Sequence, residues 1–257
     1  MSNLIYVTLR SYHALMKTDG SLLEGEEKEE YVTGMFNRIA RPYDKLNGLI
    51  SLGRDAKWRQ EALSWAGVTS GDHVADLGTG TGDFYLEIRQ RVGDEGRVVG
   101  IDIAENMLAV AKEKADQKFG THVDLRLGSA AETGLDDASQ DLVTMGWVLR
   151  NVADRAAVYA EVMRILKPGG KFLCVDMSKP SFAPIRWASQ AYLAMAMPVL
   201  IRVAGGDREA YDYLNRSTQK FPNRNELVVE WQAAGFIDVK SRGFMAGSIA
   251  AHLATNV

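Results

Sequence analysis

The sequence predicts an α/β fold, a mostly parallel seven-stranded sheet that ends in an antiparallel strand pair and carries a helical cap. Three observations predict it. Short β-rich runs alternate with longer helix-patterned ones from about residue 73, a glycine-rich turn follows the first of those runs, and two strand-like runs close the chain. Alternation of this kind marks a parallel sheet, because each parallel strand is reached through a crossover that covers one face.

Taken in order, residues 28–66 precede the alternation and look helical. The expected parallel strands are 73–77, 97–101, 123–127, 141–145 and 171–175. Between them, residues 84–92, 104–118 and 155–166 carry apolar side chains at three- and four-residue spacing, the period of an amphipathic helix. The last of these reaches Lys167-Pro168-Gly169-Gly170, where proline and glycine are expected to stop the helix and turn the chain into a strand. Residues 180–222 interrupt the alternation again and, with 28–66, are expected to cap the carboxyl edge of the sheet. After Glu226 a helix runs to Ala234 and is closed by Gly235; residues 237–242 and 249–254, joined by 243–248, then form the antiparallel pair. The expected organisation is a tail and cap helices over residues 1–66 and a main domain over 67–257, with a cap insertion at about 180–222.

Composition narrows the function. The 257 residues can bury one sizeable core, and a net charge of −3 supplies no overall basic field, so nucleic acid is not an expected partner. Cys174 is the single cysteine, which excludes an internal disulfide and a cysteine-rich metal site; no metal is expected. The first 30 residues lack a basic start, an apolar core and a small-residue cleavage site, so the expected location is the cytoplasm. The acidic run over residues 24–30 reads as a solvated lead-in or a first helical turn, outside any site. The apolar stretch over 187–201 is broken by Pro198 and falls short of the roughly 20 residues a bilayer span needs. It is expected to line a pocket, to pack on the core as a helix or to touch lipid at a membrane face, not to cross it.

The sharpest motif is Asp76-Leu77-Gly78-Thr79-Gly80-Thr81-Gly82-Asp83, a strand feeding a glycine turn that opens a helix. Glycines permit the tight turn and let a ligand approach the backbone, while free amides at the helix start suit an anionic group. A dinucleotide fingerprint needs a third glycine where Asp83 stands, which turns the reading away from NAD or FAD. Asp102 follows the next strand, where a carboxylate can accept both hydroxyls of a ribose; the alternative is a helix cap. Gly128-Ser129-Ala130 and Met145-Gly146 end the third and fourth strands at the same edge, beside the adenine and the methionine portion of such a ligand.

These motifs, with Tyr43-Asp44-Lys45-Leu46-Asn47, Trp58-Arg59, Leu149-Arg150-Asn151-Val152, Lys167-Pro168-Gly169-Gly170 and Phe221-Pro222, resemble the ubiquinone/menaquinone biosynthesis C-methyltransferase family. The resemblance runs from about Phe36 to His252 and implies a Rossmann-like class I methyltransferase fold. It implies S-adenosylmethionine as cofactor and a polyprenylated quinol, benzoquinol or naphthoquinol, as the substrate methylated on a ring carbon. The family's cofactor positions fall on Thr81, Asp102, Ser129 with Ala130, and Gly146; Asp76, Gly78, Gly80 and Ile103 complete the candidate set. Relatives often carry asparagine and serine where this chain has Ser129 and Gly146, and Phe-Gly where it has Trp147-Val148.

Methyl transfer to an electron-rich ring needs the two reactants in line, a group to steady a quinol oxyanion and a group to take a proton. Arg150 is the candidate oxyanion partner, with a structural ion pair as its alternative. Tyr43 and Asn151 are candidates for orienting the quinol oxygens, with a packed aromatic as the alternative for Tyr43, and His252 is a candidate proton acceptor, with a structural role in the last strand as its alternative. Peripheral membrane contact and a homodimer are compatible with this reading. The competing functions are methylation of a phospholipid amine, a sterol or a secondary metabolite, and a non-catalytic protein that binds S-adenosylmethionine.

Overall fold

The computed structural model describes residues 23–51, 53–120, 123–180 and 207–257, together with 182, 184, 186, 187 and 195. Strands β1 (His73–Leu77), β2 (Arg97–Asp102), β3 (Asp124–Leu127), β4 (Gln140–Gly146), β5 (Leu166–Met177), β6 (Ile237–Phe244) and β7 (Ile249–Thr255) form one sheet in the order β3-β2-β1-β4-β5-β7-β6. β1 to β5 pair in parallel, while β7 runs antiparallel to both β5 and β6. The chain leaves β1 toward β2 on one side and returns to β4 on the other. That reversal opens a crevice at the carboxyl ends of β1 and β4, the place where open α/β sheets bind ligands.

The central strands read as continuous apolar runs because both their faces are buried. On one face Leu77, Val143, Phe172 and Cys174 pack with Val158 and Val162 of α5 (Arg155–Ile165) and Leu227 and Trp231 of α7 (Arg224–Ala234). On the other, Val74, Leu142 and Leu173 pack with Leu63 of α2 (Asp55–Ala66) and Ile88 of α3 (Asp83–Val92). A third cluster lies above the carboxyl edge. There α1 (Gly25–Ile50) sets Val32, Met35 and Ile39 against Met107 of α4 (Glu105–Phe119) and Tyr213 of α6 (Arg208–Lys220).

One expectation changes, and of the two readings of the acidic run one holds. Lys167-Pro168-Gly169-Gly170 does not delay the strand: helix α5 stops at Ile165 and β5 begins at Leu166, opposite Gln140. The next pair is Leu142 with Lys171, so proline and the two glycines bulge out of β5. Asn256 secures the bulge, accepting from the Gly169 amide and donating to the Gly170 carbonyl. The acidic run over 24–30 is not a free lead-in, because Gly25 starts α1 and the Lys28 ammonium donates to the Val152 carbonyl at 2.6 Å. Most of the apolar stretch over 187–201 lies outside the described residues. Among those described, no helix is long and apolar enough to cross a membrane.

Candidate functional site

The glycine turn is built by its φ angles. Gly78, Gly80 and Gly82 all sit in the left-handed region, and the Gly78 and Thr79 amides both donate to the Ile101 carbonyl, which clamps the turn onto β2. At Gly78 the need is doubled, since a Cβ there would stand 2.4 Å from a methyl of Val148. The turn opens a cavity of about 950 Å³ lined by Gly78, Thr81, Asp102, Ser129, Gly146 and Arg150 among others.

Asp76 lies beneath the turn, almost fully buried, and accepts from the Thr79 hydroxyl at 2.7 Å and the Thr144 hydroxyl at 2.6 Å. Burial pushes its carboxyl up to about 6, against the pull of those two hydroxyls. A raised carboxyl favours the folded state below its unfolded value and loses that contribution as pH rises through the folded one. Asp76→Asn should therefore gain stability relative to the native chain between pH 4 and pH 7, by roughly 2–3 kcal/mol. Guanidinium unfolding of both proteins at the two pH values checks this, and a difference that does not change with pH overturns it.

Asp102 ends β2, and its carboxylate accepts from the Gly80 amide at 2.7 Å and from the Ala104 amide at 2.8 Å. These bonds fix the side chain without filling it, because an ionised carboxylate has about four acceptor positions. The cap of α4 is Ala104, so Asp102 is not the helix cap of the alternative reading. Ile103, Gly128, Ser129 and Ala130 line the cavity beside it, with the Gly128 amide donating to the Asp102 carbonyl. Gly146 ends β4, and a Cβ there would lie 2.4 Å from two carbons of the Phe84 ring. The ring occupies the place that a side chain at residue 146 would take.

Arg150 and Asn151 face the same cavity from the loop after β4. One Arg150 nitrogen donates to the Trp147 carbonyl and to Asp176 Oδ1, each at 2.6 Å, so the ion pair is present and buried. The pair does not exhaust the side chain: Arg150 Nε and the neighbouring Asn151 Oδ1 are both buried without a partner. One is a donor and the other an acceptor. Trp147, whose carbonyl receives Arg150 and Asn151, holds a positive φ of 59°, the kind of backbone strain that clusters at functional sites. Tyr43 lines the cavity from α1, and burial pushes its phenol up, opposed by the positive charge of Arg150.

His252 is not brought to the site. Its Nε2 contacts the Arg224 carbonyl at 3.0 Å, its ring packs on Trp231, and it does not line the cavity, so the expected proton acceptor is a buried core histidine. Burial lowers its pKa, which keeps it neutral among apolar neighbours. Conversely, Asp44, Asp55, Arg59 and Lys114 form a polar network under the turn that the sequence reading did not assign. The signal was present for Asp44 and Arg59, which stand inside the motifs of the family resemblance.

The sheet order and the glycine turn with Asp102 at the switch point define a Rossmann-like methyltransferase that uses S-adenosylmethionine. Solved structures share the fold: a methyltransferase from Thermotoga maritima described as a possible histamine N-methyltransferase matches with TM-score 0.64 at 18% identity, covering 88% of this chain and all of that one. A methyltransferase from Aquifex aeolicus matches with TM-score 0.61 at 20% identity, over 83% of this chain and 98% of that one. The chain belongs to the ubiE/COQ5 methyltransferase family, whose model matches residues 24–256. Its relatives include demethylmenaquinone methyltransferases of Symbiobacterium thermophilum and Staphylococcus aureus, each 36% identical over 90% of this chain and covering 94% and 95% of those proteins.

The site fits the cofactor. Asp102 keeps acceptor positions for ribose hydroxyls, and it lines the cavity together with Thr81, Ser129 and Ala130.

Proposed function

We propose that this protein methylates a ring carbon of a polyprenylated quinol, with demethylmenaquinol, a naphthoquinol, as the acceptor. The observation that carries the reading is that Arg150 and Asn151 both line the cavity and each keeps one buried side-chain atom, Nε and Oδ1, without a partner. A quinol offers what the two lack: an oxygen that takes a donor as it ionises, and a hydroxyl that gives a proton to an acceptor. The names of the relatives support the naphthoquinol.

Bound S-adenosylmethionine supplies an electrophilic methyl group. Arg150 steadies the quinol oxyanion that makes the ring carbon nucleophilic, Asn151 and Tyr43 orient the ring oxygens, and the ring hydrogen that the methyl replaces leaves as a proton to water. Asp102 fixes the ribose and the glycine turn holds the remainder, so the reactants meet in line. Peripheral contact with a membrane belongs to this reading, since Phe182, Trp187 and Met195 expose 63%, 78% and 76% of their surface.

Purified protein given S-adenosylmethionine and a demethylated naphthoquinol should release the methylated product. Turnover of an ethanolamine phospholipid, with none of the quinol, would transfer the function to another acceptor. Asp102→Ala should weaken cofactor binding by about 1–3 kcal/mol, the scale of leaving buried polar partners unpaired. An unchanged dissociation constant by calorimetry would remove Asp102 from the site.

A further inference from the structure

Helix α1 contains Pro42, which has no N–H to give to residue 38, directly before the residues that reach the site. Ahead of it, Val32, Met35 and Ile39 are buried in the cluster above the sheet edge. After it, Tyr43 and Asn47 line the cavity and Asp44 accepts a hydrogen bond from the Thr81 hydroxyl of the glycine turn. The second Asp44 oxygen accepts from the Lys114 ammonium at 2.8 Å, and Lys114 also reaches Asp83 at 2.6 Å. Arg59 continues the chain to Asp83 at 3.2 Å and Asp55 at 3.0 Å. Burial opposes the charge of Lys114, but Asp83 and Asp44 outweigh it and raise its pKa. The five side chains hold three carboxylates and two cations, one negative charge in excess.

Donor accounting then fixes the polarity of Thr81. An ionised carboxylate only accepts and a threonine hydroxyl carries one proton, so the bond to Asp44 uses that proton. Thr81 is only 3% exposed and lines the cavity, so with its proton taken its hydroxyl can only accept from a ligand there. We propose that Asp44 is a positioning residue which, by taking the Thr81 proton, makes that hydroxyl an acceptor, so that the glycine turn receives the ammonium of the cofactor's amino-acid end and not its carboxylate. The inference rests on Thr81 contacting the cofactor. The excess negative charge of the network favours the same end.

Calorimetry with S-adenosylhomocysteine and with its deaminated and decarboxylated analogues tests it. For the native protein the deaminated analogue should bind about tenfold more weakly than the parent, the scale of one charge-assisted hydrogen bond. The decarboxylated analogue should lose less. In Thr81→Val the penalty for removing the ammonium should shrink to about twofold, and in Asp44→Ala it should fall at least threefold because the Thr81 proton is free to turn inward. Asp44→Asn, whose amide oxygen still accepts that proton, should keep the native penalty. An Asp44→Ala protein that retains the native penalty overturns the proposal. So does a native protein indifferent to the ammonium, a result that needs no variant to fold. Absence of S-adenosylhomocysteine binding by the native protein would instead strike the cofactor assignment beneath it.

Discussion

Arg150→Ala is expected to lower turnover by about a hundredfold or more, the loss that follows removal of one oxyanion donor, while leaving S-adenosylmethionine affinity nearly unchanged. The buried pair with Asp176 adds a second effect. Asp176 is 1% exposed, and breaking such a pair strands a charge at a cost of about 3–5 kcal/mol, so the single variant should also be less stable. The two effects separate in the double variant. Arg150→Ala with Asp176→Asn removes the stranded charge and should recover much of the stability, yet none of the turnover. Arg150→Lys should keep the pair but restore only part of the rate, since a point charge cannot reproduce a planar fork that serves Asp176 and the ligand together. Steady-state rates with a demethylated quinol, alongside denaturant unfolding, decide the matter. Recovery of turnover in the double variant would mean that Arg150 acts only through the ion pair.

Gly146→Ser should damage this protein. The added Cβ meets the Phe84 ring, which is buried in the cluster that holds Trp58 and Leu63 of α2 and must shift to admit it. Overpacking of this kind costs about 1–3 kcal/mol, and because the strain falls beside the glycine turn we expect weaker cofactor binding as well. Trp147 enforces the position of that ring, its indole lying 6.1 Å from it. Phe84→Leu alone should destabilise by loss of packing, but combined with Gly146→Ser it should cost less than the two single changes added together. Thermal unfolding of the four proteins measures the coupling, and strictly additive losses would show that Phe84 and Gly146 are independent.

Residues 146–148 show how substitutions interlock. In Gly-Trp-Val the small residue stands where Phe84 presses, and Val148 covers Gly78. From the sequence, Gly146 looked like the loss of a hydroxyl. In the fold it is the space that an aromatic ring fills.

What the sequence determined by itself is local or nearly so. The strands announce themselves because burial on two faces demands unbroken apolar runs, and the glycine turn because only glycine adopts its φ angles cheaply. Asp102 was readable because its place at the end of β2 follows from chain order alone. The tertiary structure decided what depends on distant residues meeting. Asp44 and Lys114 lie 70 residues apart, and Arg150 and Asp176 26 apart, and no periodicity within either segment encodes the partner. For the same reason the sequence left two readings open both for His252 and for the acidic run of α1. A side chain's type does not say which face of β7 it takes or which helix end reaches a cavity; the packing of α7 on one face of the sheet and of α1 across its carboxyl edge settles both.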